Sequence, residues 1–290
     1  MKTGIFAGLI TLDCIYQTQR PLQPNEKQVA DAVLLAAGGP ATNAAIAFSA
    51  LGGQARLIGA LGQHPLAAVI REDLAQHQVE LVDLTPDGTT PPPFSSIVVN
   101  GPTGDRAVIS RNVADRPMPQ SLPPGEGMGS ADCLLIDGHQ MAIGQQLAQQ
   151  AQHRQIPVVV DGGSWKPGFE SVLSLADIVI ASANFRPPGS GPEAAAIAYL
   201  RSLHVPAIAV TRGGQPILYH TPTAHGELPV PTIHPVDTLG AGDIFHGAFC
   251  AAFAQTQDFL PAMRQAAQVA ALACRFFGTR QWLKHLPSKK

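Results

Sequence analysis

The sequence predicts an α/β fold, a mainly parallel sheet with helices on both faces, accompanied by a smaller β-sheet outside the main core. Three observations carry this. Short, near-continuous apolar runs alternate with Ala-rich stretches of helical length, the pattern of βαβ units whose strands are buried on both faces. Two segments, Tyr16 to Leu35 and about Thr90 to Val113, interrupt the rhythm with Pro-rich turns and polar alternation, which suits a half-exposed antiparallel sheet. The composition is 45% apolar and 14% charged, which excludes a disordered chain.

Taken in order, Gly4 to Leu12 reads as a strand, Ala41 to Leu51 as a helix, Ala55 to Ala60 as a strand and Leu66 to Gln78 as a helix. Phe94 to Val99 and Arg106 to Ser110 alternate apolar with polar and belong to the outer sheet, while Met118 to Gly129, dense in Pro and Gly, reads as a loop returning to the main body. The rhythm resumes with strands at Cys133 to Asp137, Val158 to Asp161, Ile178 to Ala181 and Ala207 to Thr211. Helices at Ile143 to His153 and Ala194 to His204 separate them. A chain of 290 residues can bury one large core without a second independent domain.

The formal net charge of -2 offers no basic footprint for nucleic acid or an anionic membrane. The tail Pro287 to Lys290 reads as a solvated end. No apolar run reaches the roughly 18 residues of a membrane span, and Met1 to Gly4 lead straight into a strand pattern without a signal-peptide cleavage region. A cytoplasmic location is therefore expected. Cys14, Cys133, Cys250 and Cys274 are dispersed with no CxxC pair, so neither a disulfide framework nor a zinc site is indicated, and all four are expected reduced and packed.

The most informative segment is Asp237-Thr-Leu-Gly-Ala-Gly-Asp243-Ile-Phe-His-Gly-Ala-Phe249, a glycine-rich turn leading into an apolar helix. Unpaired N–H groups in a first helical turn form an anion site, and Gly240 and Gly242 allow close approach of a phosphate. Asp243, placed in that turn, is a candidate base for an acceptor hydroxyl, while the amides stabilise the transferring phosphoryl group. A carboxylate there also complements the helix dipole, and a GxG turn alone fits that reading better. The full D-T-x-G-A-G-D string with F-x-G-A is more specific.

This string resembles the C-terminal signature of the PfkB, or ribokinase-like, carbohydrate kinases. A second string, Gly38-Gly-Pro-Ala-Thr-Asn43-Ala-Ala45 with Leu51-Gly-Gly53 and Ile58-Gly-Ala-Leu-Gly62, resembles the N-terminal signature of the same family. The two extend the resemblance over essentially the whole chain. They imply a ribokinase-like three-layer αβα sandwich spanning residues 1–290 as one kinase domain, with a discontinuous β lid from about 14–36 and 90–113. The activity implied is ATP-dependent transfer of a phosphoryl group to a sugar hydroxyl, with Mg2+ held mainly by ATP oxygens and water rather than by protein ligands.

By the same resemblance Asp13, Gly38, Gly39 and Asn43 hold the sugar, and Arg106 matches a lid arginine that reaches it. Gly240, Ala241, Gly242 and Asp243 form the catalytic turn. Thr211, Gly213 and Thr238 lie near the ATP phosphates and ribose, and a helix from Ala266 to Phe277 walls the adenine through Val269, Ala270 and Cys274. Read without the family, Asp13 and Asn43 fit turn or helix caps, Arg106 fits a surface residue of the lid, and Val269, Ala270 and Cys274 fit ordinary core. The lid edge also suits pairing across a homodimer.

Within the family the strings Gly8-Leu-Ile-Thr-Leu-Asp13 and Pro93-Phe-Ser-Ser-Ile-Val-Val-Asn100, with Gly104-Asp-Arg-Ala-Val108, look most like the ketohexokinase-like branch. A ketose such as fructose, or a derivative, is the expected acceptor. Three departures stand out. Pro40 replaces the Asn of G-G-N; the G-G-P start and His246 also resemble sulfofructose kinases; and Pro187 in Asn184-Phe-Arg-Pro187 replaces the Glu of an N-x-x-E motif. Asp161-Gly-Gly-Ser-Trp165 matches the D-x-N-x-R segment only in part. A nucleoside kinase of the same family, and a non-catalytic sugar- or nucleotide-binding protein on this scaffold, remain as alternatives.

Overall fold

Each apolar strand of this chain is too short to be stable alone, and each Ala-rich helix has one stripe to bury, so stacking helices on both faces of a sheet satisfies both. The computed structural model describes residues 1–111, 119–189 and 193–286. Its first half contains β1 (Thr3–Ala7), β2 (Thr11–Thr18), β3 (Ala32–Gly38), α1 (Pro40–Ala50), β4 (Gln54–Gly59), α2 (Pro65–Gln76), β5 (Val79–Asp83), β6 (Phe94–Asn100) and β7 (Arg106–Arg111). Its second half contains β8 (Cys133–Ile136), α3 (Met141–His153), β9 (Val158–Gly162), α4 (Glu170–Leu173), β10 (Ile178–Ser182) and α5 (Glu193–Ser202). There follow β11 (Ala207–Arg212), β12 (Gln215–His220), β13 (His225–Leu228), α6 (Ala241–Thr256) and α7 (Phe259–Ala273).

Nine of the described strands form the main sheet in the order β13-β12-β11-β10-β9-β8-β1-β4-β5. All its pairings from β11 to β5 are parallel, and β12 and β13 extend it as an antiparallel edge. Helices α1, α2, α6 and α7 bury their apolar residues on one face with Phe6, Leu57, Leu135 and Ile180. On the other face α3, α4 and α5 pack on Ile5, Ile58, Ile136 and Val160. The result is the mixed α/β architecture expected, with helices covering both faces of a mostly parallel sheet. Because the parallel strands share one direction, their C-terminal ends open along a single edge, where open α/β sheets bind ligands.

The second sheet runs β3-β2-β6-β7. It is not wholly antiparallel: β2 pairs with β6 in parallel, and only its two outer pairings are antiparallel. The long segment between β2 and β6 returns the chain through α1, β4, α2 and β5, so β6 arrives pointing the same way as β2. The run Gly4 to Leu12 is likewise two strands, because the chain leaves the main sheet after Ala7 and enters the second at Thr11. Ile15, Ile97 and Val99 on the inner side are buried against Phe277 and Leu239. The end of the second segment beyond 111, the loop start at Met118 and the tail 287–290 lie outside the described residues.

Candidate active site

The second signature forms a tight turn for local reasons. Asp237 is buried and its carboxylate accepts the Leu239 N–H at 2.8 Å and the Gly278 N–H at 2.8 Å. Gly240 then adopts φ 68°, a left-handed conformation that favours glycine, and caps the N-terminus of α6. A side chain at Gly240 would also press on the Thr279 methyl at 2.9 Å. The Ala241 N–H reaches the Thr238 carbonyl at 3.3 Å, which leaves the amides of Gly242 and Asp243 as helix-start donors. A Cβ on Gly242 would meet nothing within 4 Å, so an anion can approach the backbone there.

Asp243 sits in this first turn, half-buried. Its Oδ2 accepts the Asn43 Nδ2–H at 2.9 Å, so the two sequence signatures, 200 residues apart, meet at the candidate base. Crowding by the protein raises the Asp243 carboxyl to about 6, and the charge of Asp161 adds to this, while the Asn43 hydrogen bond and His246 act in the opposite direction. Asp161 is buried at the end of β9, with its Oδ2 3.7 Å from Nδ1 of His246. His246 is held between the carbonyls of Gly242, at 2.7 Å, and Ile180, at 3.1 Å.

The residues expected to hold the sugar lie where β2 and β3 of the second sheet meet α1. Asp13 on β2 is buried, and its Oδ1 has no hydrogen-bond partner among the described residues. Burial raises its carboxyl to about 6, opposed by the Ser95 hydroxyl and the charge of Arg280. An orphaned buried acceptor calls for a donor, and a hydroxyl of a ligand can supply one. Gly38 faces this carboxylate: a Cβ there would lie 2.0 Å from Asp13 Oδ2. Gly39, at φ 102°, has the Leu9 carbonyl 2.2 Å from the position of a Cβ. Pro40 then occupies the first turn of α1, where a missing N–H is harmless.

The remaining expected residues divide. Arg106 donates from Nη1 to the Thr238 hydroxyl at 2.7 Å, which carries the β6–β7 hairpin onto the glycine-rich turn rather than onto Asp13. Thr211, one residue before the end of β11, places its hydroxyl on the Ala181 carbonyl at 3.3 Å, and Gly213 makes the following turn at φ 61°. Val269 is buried and Ala270 partly buried on α7, and Cys274 is buried at the C-cap of that helix. That helix starts at Phe259 and ends at Ala273, earlier than Ala266 to Phe277, because Arg275 and Phe276 bond three residues back before Gly278 turns the chain at φ 70°. The Cys274 carbonyl accepts the Val236 N–H at 2.8 Å, and burial with the charge of Asp237 raises its thiol to about 11.

Two supporting residues escaped the sequence reading. Asp137, just beyond β8, accepts the N–H groups of Leu9 at 2.9 Å, Ala41 at 3.1 Å and His139 at 2.9 Å. The His139 ring and the amides of Leu9 and His139 hold the carboxyl down at about 2 despite its burial. An acid at the carboxyl end of the apolar run Cys133 to Ile136 was the available signal. Arg280, beyond α7, reaches Asn43, Asp73 and the Ala37 carbonyl; no local pattern marks it.

The chain is similar to known proteins over nearly its whole length. The ribokinase of Bacillus subtilis is 23% identical over 289 residues, covering 97% of this chain and 95% of its own. The Arabidopsis thaliana ribokinase solved with ribose and ATP aligns over 98% of this chain and 97% of its own, at 20% identity with a TM-score of 0.76. An E. coli protein described as ribokinase II, solved with ATP and Mg2+, aligns over the same shares at 19% identity with a TM-score of 0.81. These structural likenesses establish the fold. The family model for pfkB family carbohydrate kinases matches residues 2–285, and the chain therefore belongs to that family.

Proposed function

We propose that this carbohydrate kinase transfers the γ-phosphoryl group of ATP to a hydroxyl of a small sugar, with Asp243 as the general base. One observation carries the reading: the hydrogen bond from Asn43 to Asp243 joins the sugar-side signature to an open helix N-terminus. With Oδ2 occupied by Asn43, Oδ1 remains to accept the proton of the attacking hydroxyl. The amides of Gly242 and Asp243 then stabilise charge on the phosphoryl group in flight. Asp13 orients the sugar, because its free Oδ1 accepts from a second hydroxyl. A sugar hydroxyl satisfies that acceptor without introducing a buried charge.

Among the described residues no group of three or more His, Cys, Asp or Glu is placed to hold a metal. Mg2+ would arrive with ATP, bound to phosphate oxygens and water, where it would neutralise charge on the phosphates. The β3-β2-β6-β7 sheet acts as a lid within a single kinase domain, excluding water while Arg106 holds its hairpin on Thr238. A ketose such as fructose, or a derivative, is favoured by the strings Gly8 to Asp13 and Pro93 to Asn100. Ribose stands beside it on the strength of the ribokinase relative.

The lid's outer side also suits self-association. Leu35 and Ile109 share a cross-strand row through Cys14 and Ser96, and Val33 and Tyr16 share the next. These four residues are 51%, 79%, 61% and 37% exposed. Such an apolar face is an expected subunit contact, and a homodimer through the lid would cover it. An ATP-consumption assay with Mg2+ over ketoses, aldoses including ribose, acidic and sulfonated sugars and nucleosides tests the functional reading. Turnover on one sugar supports it; turnover on a nucleoside alone, or binding without turnover, overturns it.

A further inference from the structure

Arg280 lies partly buried behind the site and is satisfied on three sides. Its Nη2 donates to the Ala37 carbonyl at 2.5 Å and to Asp73 Oδ2 at 2.9 Å, and its Nε to the same carboxylate oxygen at 3.3 Å. Its Nη1 donates to Asn43 Oδ1 at 3.0 Å and to the Thr279 hydroxyl at 3.0 Å. Asp73 on α2 also accepts the Ala37 N–H at 2.9 Å. One guanidinium thus ties the end of lid strand β3, helix α2 and helix α1 together. A planar fork of fixed donors can hold such an arrangement where a single ammonium cannot.

The arrangement settles the orientation of Asn43. Arginine only donates, so the Asn43 atom facing it is the carbonyl oxygen, and the amide nitrogen must face Asp243. Without Arg280 the amide could turn over and present its oxygen to the carboxylate, a repulsive contact. The same segment anchors the glycine-rich turn, since Gly278 N–H bonds Asp237 and Thr279 packs under Gly240. Because Asp73 neutralises Arg280 at 2.9 Å, the guanidinium serves as an internal brace rather than as a receptor for an anionic substrate.

We propose that Arg280 is a positioning residue for phosphoryl transfer, fixing the Asn43 amide so that it donates to Asp243 and linking the catalytic carboxylate to the lid strand. The proposal rests on the assignment of Asp243 as the base. It is tested by steady-state kinetics on Arg280→Lys, Arg280→Met, Asn43→Ala, the double variant Arg280→Met/Asn43→Ala and Asp243→Asn, with the sugar that the wild type turns over. Arg280→Met is expected to lower kcat about 10- to 100-fold, the scale on which misplacing a catalytic group acts, with the KM for ATP unchanged. The acid limb of its pH profile should move upward, because Asp243 loses its donor. Arg280→Lys should recover only part of the rate, and the double variant should be no slower than the slower single variant.

Effects of the two single variants that multiply in the double variant would overturn the relay while leaving the base intact. Full activity in Asp243→Asn would overturn the base and the proposal with it. If Arg280→Met does not fold, as judged by its thermal transition, Arg280→Lys decides: a wild-type kcat and pH profile in that variant refutes the proposal. Partial rescue of Arg280→Lys kcat by millimolar guanidinium, with no effect on wild type, supports it.

Discussion

The carboxylate of Asp161, at the end of β9, acts on that of Asp243, in the first turn of α6: its charge is the second largest cause, after burial, of the raised Asp243 carboxyl at about 6. A base must be deprotonated to work, so kcat/KM for the sugar should rise with pH, be half-maximal near pH 6 and level off above it. Removing the neighbouring charge lowers the pKa, so Asp161→Asn should move that limb toward more acid pH. A pH–rate series on both proteins checks the direction.

Asp243→Asn should reduce turnover by about 10²- to 10⁴-fold, the usual contribution of a general base, and more if the loss of charge also misplaces Asn43. Sugar and ATP binding, measured by calorimetry, should survive, because Asp13, Gly38 and the helix amides are untouched.

Asp13 predicts a trade between stability and function. Its carboxyl rises from 3.8 to about 6 on folding, so the folded protein holds this proton more tightly than the unfolded chain does. The charged side chain therefore destabilises the fold fully above about pH 6 and not at all below about pH 4. A shift of roughly two units corresponds to about 3 kcal/mol. Asp13→Asn should raise the denaturation midpoint at pH 7.5 while weakening sugar KM; urea unfolding at pH 7.5 and pH 4 gives the comparison.

Asp137 has the opposite sign. Its carboxyl is held at about 2 by the amides of Leu9 and His139 and by the His139 ring. It stabilises the fold fully above the ordinary carboxylate pKa near 4, and this is lost as the pH falls through about 2. Asp137→Ala leaves three N–H groups without their acceptor and should cost about 3 kcal/mol at neutral pH, read as a lower midpoint in urea. Gly8→Ala should produce a related loss, because its Cβ would lie 2.1 Å from that carboxylate.

Glu at Leu35 or Ile109 should convert a lid-paired dimer to a monomer in analytical ultracentrifugation. These side chains are 51% and 79% exposed in the single chain, so burying a charge at either site in a dimer would oppose association without disturbing the fold. A wild-type monomer, or dimers that persist in both variants, would remove the lid from consideration as the subunit contact.

The alternation of apolar runs and Ala-rich stretches determined the α/β class, and the strings around Gly38 and Asp243 determined the family, because glycine turns and helix starts are encoded by neighbouring residues. Gly240, Gly242 and Asp243 could be read in place for that reason. The parallel pairing of β2 with β6, the split of the first strand after Ala7 and the placement of Arg106 on Thr238 could not, since each depends on where a distant segment arrives. Arg280 shows this most plainly: its partners Asp73, Asn43 and Ala37 lie 207, 237 and 243 residues away. A lone arginine after a helix carries no local mark. Only the folded chain, by removing water from that corner and leaving Ala37, Asp73 and Asn43 in need of a donor, makes it part of the site.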